Sequence, residues 1–241
     1  MSGHSKWATI KRKKATTDAK RGKIFTTIIK EITIAAREGG GDADSNPRLR
    51  QAVSNAKSAN MPSDNITRAI KKGTGELPGV TYEEVSYEGY GPAGVAIFME
   101  CLTDNKQRTV AEIRHLISKY GGNLGENGSV SWMFDKKGQI TLKANGYEED
   151  VVFEAALEAG AEDFEAADNV FIVSTDSSEI MSVRDALDSQ GYEIESANID
   201  MVPKNLHNVE SDKEQSVITL LEALEDHDDI KAVYTNFDSV E

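Results

Sequence analysis

The residues of this chain best suited to chemistry are cations, and they crowd at its start. Residues 1–23 carry Lys6, Lys11, Arg12, Lys13, Lys14, Lys20, Arg21 and Lys23 against one acid, Asp18. Lys6, Lys13 and Lys20 fall seven apart, as do Lys14 and Arg21. On a helix each set drifts only about 20° per step and keeps to one side. Long cationic side chains converging on one track are what a chain of phosphates requires. His4 and Trp7 lie among them. An aromatic ring in such a tract can stack on an unpaired base for about 1–3 kcal/mol. It can equally anchor a core beneath a solvated helix face.

The rest of the chain has the opposite charge. Through Gly75 there are 16 basic and 6 acidic residues, whereas the remaining 166 residues hold 11 basic and 35 acidic ones, and the whole 241-residue chain carries −14. Charge sorted this sharply predicts one region that meets a polyanion and a body that stays off it. Nucleic acid is the partner this implies, as DNA or as ribosomal or transfer RNA.

Other chemistry finds little support. His4, His115, His207 and His227 are scattered without an HxxxH pair, and Cys101 is the single cysteine, so no metal or cofactor site is expected. With 41 carboxylates no acid–base pair stands out, and the reading is non-enzymatic. The clusters Gly39–Gly41 and Gly89–Gly94 lack the spacing of a nucleotide cradle. Cys101 lies in the apolar run Val95–Leu102, as a buried strand thiol would. No apolar run is long enough to span a membrane and the start lacks a secretory apolar region, so the expected address is the cytoplasm. One further candidate is Asn105, Lys106 and Arg108, where a strand exits into a helix. Asp104 or Asn105 could simply cap that helix, or the three could form a second ligand or RNA contact.

The elements that must position these groups follow from periodicity. Phe25, Ile28, Ile29, Ile32 and Ala36 give the apolar face of a first helix, with Lys23, Lys30 and Arg37 off it and Gly39–Gly41 ending it. Asn46-Pro47 opens a second helix with Leu49, Ala52, Val53 and Ala56 inward, and Met61-Pro62-Ser63 opens a third with Ile66 and Ile70 inward. A helix-turn-helix over Arg48–Lys72 would offer only Asn65, Arg68, Lys71 and Lys72 as polar readers. Strands are expected over Thr81–Ser86 and Val95–Leu102, separated by a turn over Gly89–Gly94. A helix with Val110, Ile113 and Ile117 inward follows, then a strand on which Val130, Trp132 and Phe134 alternate. Beyond it, the order βαββαβ predicts a ferredoxin-like unit. Its pieces are a strand at Ile140, helix Glu148–Ala159, strands Asp163–Ala166 and Val170–Val173, helix Ser177–Ser189 and strand Tyr192–Val202. A last helix through Val217–Leu224 and a strand over Ile230–Phe237 complete a second unit of the same kind begun before it. The fold class is therefore α+β in three domains: residues 1–75 as a basic helical bundle, 76–134 with 204–241 as one ferredoxin-like domain, and 135–203 as another inserted into it. No dimer motif stands out, and a monomer is expected.

Several long motifs resemble the YebC/PmpR family. They are Gly3-His4-Ser5-Lys6-Trp7 with Ile10-Lys11, Asp18–Phe25, Asn46-Pro47-Arg48-Leu49-Arg50 and Asn60-Met61-Pro62. Tyr87–Pro92, Thr103-Asp104-Asn105 and Gly128-Ser129-Val130 continue the series, so the resemblance spans nearly the whole chain. It implies the same three-domain α+β fold and a regulator of gene expression. Members of that family have been classed as DNA-binding transcriptional regulators. Others, including a mitochondrial translational activator, act on the ribosome, and bacterial relatives are linked to elongation through proline-rich stretches.

Overall fold

The computed structural model describes Trp7, the backbone of residues 18–239 apart from Asp168, and the side chains from Gly22 onward. It is an α+β protein with two compact units, residues 132–206 and the described residues of 5–131 with 207–241.

The larger unit begins with three helices, α1 (Asp18–Gly39), α2 (Pro47–Ser58) and α3 (Ser63–Gly73). The apolar stripe of α1 meets Leu49, Ala52 and Ala56 of α2 and Ile66 and Ala69 of α3 in one small core. Close approach is built in at Gly73, where a Cβ would stand 2.5 Å from the Thr33 carbonyl oxygen and 2.7 Å from Ala36. Asn46 organises the α1–α2 turn: its side chain accepts the Leu49 N–H at 3.0 Å and donates to the carbonyls of Ala35 (2.8 Å) and Gly40 (2.9 Å). Helix α2 ends in a Schellman motif, with Asn60 at φ 57°, its N–H on Lys57, and the N–H of buried Met61 on Ala56. This four-residue turn holds α3 to α2.

A four-stranded sheet follows, in the order β3-β1-β2-β9, from β1 (Glu83–Tyr90), β2 (Ala96–Thr103), β3 (Asn123–Leu124) and β9 (Ile230–Thr235). Helices α4 (Lys106–Lys119) and α7 (Ser211–Glu225) contribute Ile113, Ile117, Val217, Leu220 and Leu221 to the core with Val95, Ile97, Met99 and Cys101. Burial pushes the Cys101 thiol up to about 12, so it stays protonated and inert. A parallel pair, β8 (His207–Val209) with β10 (Phe237–Ser239), lies outside what periodicity could foresee because each strand is only three residues long.

Two expectations are corrected here. Strand β1 runs on through Gly89 and Tyr90, which the glycine content had assigned to a turn. Gly89 is there because the β3 backbone crosses it: a Cβ would sit 2.7 Å from the Asn123 carbonyl oxygen. Residues 130–133 are not a strand but the approach to a 3₁₀ turn at Ser131–Met133, with Val130 buried and Trp132 62% exposed. The carboxylate of buried Glu88 takes the N–H groups of Gly128, Val130 and Ser131 at 2.7–2.8 Å, so no ladder can use them.

The smaller unit has β4 (Phe134–Lys143), α5 (Glu149–Ala159), β5 (Asp163–Ala167), β6 (Val170–Asp176), α6 (Ile180–Ser189) and β7 (Ile194–Pro203). Its antiparallel sheet, ordered β5-β6-β4-β7, is the ferredoxin-like arrangement expected from βαββαβ. Helix α6 starts three residues later than expected because the Asp176 carboxylate caps a turn, accepting from the Ser178 N–H and hydroxyl.

Asn46 is buried and answers one backbone donor and two acceptors, so Asn46→Ala should cost about 2–3 kcal/mol, the sum of a lost cap and orphaned carbonyls. A urea titration followed by far-ultraviolet circular dichroism measures it.

Candidate nucleic-acid interface

Helix α3 presents cations by the same geometry that buries its other side. Ile66 and Ala69 face the helical core, which leaves Arg68, Lys71 and Lys72 exposed at i, i+3 and i+4. Lys57 on α2 is exposed as well. None of these four has a salt bridge among the described residues. Elsewhere most cations are matched: Lys106 pairs with Glu83, Lys137 with Glu162, Lys143 with Glu193, Arg184 with Asp185 and Lys204 with Asp135. Three cations without an acid partner among the described residues thus stand together on one short helix that its core holds in place.

The arm expected to hold phosphates is only partly placed. His4, Lys6, Lys11, Arg12, Lys13 and Lys14 lie outside the described residues. Lys20 and Arg21 fall in the first turn of α1, with their side chains likewise outside them, and Lys23 is half-buried. Trp7 is 3% exposed and belongs to the core under the sheet, with Val95, Met99 and Leu221. Of the two readings of this indole, the core anchor is the one its position supports. Its large apolar area outweighs the indole N–H, which has no hydrogen-bond partner among the described residues.

The residues of the second expected contact are exposed and also have partners within the chain. Asn105 caps α4 by accepting the Arg108 N–H at 3.0 Å, Lys106 is bound to Glu83 at 2.5 Å, and Arg108 donates to Asp104 and Asp229 at 2.9 and 2.5 Å. Asp229 is the centre of this cluster. Lys30, on α1, donates to its Oδ1 at 2.9 Å and to the Leu102 and Asp228 carbonyls at 3.0 Å. The hydroxyls of Thr109 and Thr103 lie 2.8 and 3.2 Å from Oδ2. Lys30 and Asp229 are both almost fully buried. Lys30 is off the apolar stripe of α1 as its spacing predicts, yet it is not solvated: it crosses to the sheet. Burial pushes the Asp229 carboxyl up, but the hydrogen bonds from Lys30, Arg108 and Thr109 outweigh this and hold it far below the usual range.

Sequence reasoning missed this junction because Asp229 and Lys30 stand 199 residues apart. Glu112, His227 and Asp229 also bring metal-ligand atoms within 4.8 Å of one another. Both Asp229 oxygens already face a cation, and His227 Nδ1 accepts the Asp229 N–H at 3.1 Å, which leaves Nε2 to donate to Glu112 at 3.0 Å, so these atoms are engaged in ion pairs and hydrogen bonds.

The chain is similar to known proteins along nearly its whole length. Residues 5–76 match the profile of the TACO1/YebC protein N-terminal domain, and residues 82–237 match that of the TACO1/YebC second and third domain. A "Probable transcriptional regulatory protein" of Syntrophus aciditrophicus is 58% identical over 239 residues, covering 99% of this chain and 96% of that protein. One of the same name from Halothermothrix orenii is 56% identical over 241 residues, covering 99% and 95%. Among solved structures, a conserved hypothetical protein from Aquifex aeolicus superposes with a TM-score of 0.88 at 46% identity, over 95% of this chain and 94% of that one.

The Asp229 cluster yields a prediction whose sign is fixed. A carboxyl depressed below its unfolded value of about 3.9 contributes stability above that pH and loses it as the pH falls toward the folded value. Asp229→Asn leaves Lys30 buried without a counter-charge and should cost about 3–5 kcal/mol at pH 7. Below about pH 4 the gap to the parent should narrow. Glu88 is also held low, by the Gly128, Val130 and Ser131 N–H groups against its burial, and titrates with the same sign in both proteins. The difference between parent and variant urea midpoints, followed against pH, isolates Asp229.

Proposed function

The chain belongs to the TACO1/YebC family, and on that premise we propose that it is a non-enzymatic, nucleic-acid-binding regulator of gene expression that acts on DNA. The single observation that carries this is the exposed row Arg68, Lys71 and Lys72 on α3, which no acid neutralises among the described residues. Lys57 and the cationic arm of residues 1–23 add to it. The names of the relatives support regulation of transcription. Phosphates are held by α3 and by His4, Lys6, Lys11, Arg12, Lys13, Lys14, Lys20, Arg21 and Lys23. The net −24 of residues 76–241 limits where on a polyanion the protein can sit.

The residues of α3 also favour a second reading. Arg68, Lys71 and Lys72 suit phosphates as well as guanine edges, and Asn65 is the one amide on the helix suited to adenine, a short list for reading a sequence. Binding through backbone and shape is what a translation factor on ribosomal RNA needs, aiding elongation at difficult proline-rich sequences. We read the three hydrophobic cores as three domains, 1–75, 76–134 with 204–241, and 135–203, in a monomer.

Arg68→Ala/Lys71→Ala/Lys72→Ala should weaken binding to duplex DNA about equally for all sequences. It should also lower the slope of log affinity against log salt by about 3, near 0.9 for each phosphate that is no longer neutralised. Fluorescence anisotropy across a salt series measures both. A variant that binds like the parent removes α3 from the interface, and a parent that prefers structured ribosomal RNA over DNA selects the translation reading.

A further inference from the structure

The smaller unit carries an exposed surface of the opposite character to α3. Residues 144–183 contain 11 acids and no Lys or Arg. Within them, α5 turns Val152, Ala155 and Ala156 into the core and leaves Phe153 and Leu157, one turn apart, 42% and 47% exposed. Asp150, Glu154 and Glu158, all exposed, flank this pair on the same helix. Phe153 meets the Phe164 ring in a T-shaped contact, with centroids 5.6 Å apart, and Phe164 stacks in turn on Phe171 at 5.5 Å. The exposed ring is therefore fixed in place rather than loose. Phe164 belongs to β5, an edge strand that pairs only with β6 among the described residues.

Two apolar side chains left out of a core cost solvation, and carboxylates around them exclude some occupants. Nucleic acid and anionic lipid would be repelled by Asp150, Glu154 and Glu158. A neutral apolar partner would gain nothing from them. We propose that the Phe153–Leu157 face of α5 docks a Lys- and Arg-rich amphipathic segment of a partner protein. The partner's apolar side chains cover the two anchors and its cations reach the flanking carboxylates. The inference is independent of the nucleic-acid reading, because it rests on another surface and on the opposite charge.

The test uses the full chain and a short fluorescein-labelled peptide of Lys, Leu and Ala with its leucines on one helix face. Anisotropy should show binding that weakens with salt and is absent for the same peptide with Glu in place of Lys. Phe153→Ser/Leu157→Ser should lower affinity about tenfold or more. Leu157→Ser alone, which leaves the Phe153–Phe164 pair intact, and Glu154→Lys/Glu158→Lys should each lower it several-fold. Circular dichroism should match the parent for at least one variant that no longer binds. Peptide binding unchanged in all three variants would overturn the proposal, as would no binding at low salt. Sedimentation that shows the parent self-associating and Leu157→Ser dissociating it would make a second copy the occupant, and would overturn it too.

Discussion

A lysine and an aspartate can leave water together only where every lone pair and proton finds a partner, and the larger unit meets that demand at Asp229. Both carboxylate oxygens are occupied: Lys30 holds one, and Arg108 with two threonine hydroxyls surrounds the other. The ammonium of Lys30 is completed by two carbonyls from the sheet side, those of Leu102 and Asp228. Helix α1 is thereby fixed in register against the ends of β2 and β9. Outer pairs follow the same line: Lys231 on β9 meets Glu31 at 2.6 Å, Arg48 bridges Glu38 and Glu84, and Arg37 donates to the Tyr82 carbonyl at 2.6 Å. These shared charges, more than apolar area, tie the helices to the sheet.

That arrangement divides the cations of the helical segment into two kinds. Those on the side of α1 that meets the sheet are consumed internally. Those on α3, and Lys57 on α2, find no acid among the described residues and stay available. A helix whose inward face is Ile66 and Ala69 has no freedom to turn its arginine and lysines elsewhere. Placement of charge, then, follows from placement of a very small core.

Local signals carried much of this into the sequence. The α2 cap at Asn46-Pro47, the start of α3 and the βαββαβ order were legible because caps, proline and period act within a few residues. Gly89 misled for the same reason: a glycine demanded by a crossing strand looks like one demanded by a turn. The partners of Glu88, some 40 residues away, turned an apparent strand at 130–133 into a pinned loop. Asn105, Lys106 and Arg108 have the types of a ligand site, and Glu83 and Asp229, which meet Lys106 and Arg108, come from elsewhere in the chain, beyond the reach of local spacing. The α3 cations are plain in the sequence, but their exposure and lack of acid partners among the described residues are not written in a spacing.

Strand β9 enters the sheet beside β2 only after more than a hundred intervening residues have been made, with Ile97 against Thr235 and Cys101 against Ile230. During synthesis, therefore, the helical segment emerges long before the carboxylate that fastens it. Until Asp229 arrives, Lys30 has no counter-ion and one side of β2 lies open, while the cationic helices are already complete. A chain arrested before its last few dozen residues would show its cationic end without the anchored body, so the order of emergence makes the young polypeptide a different electrostatic object from the finished protein.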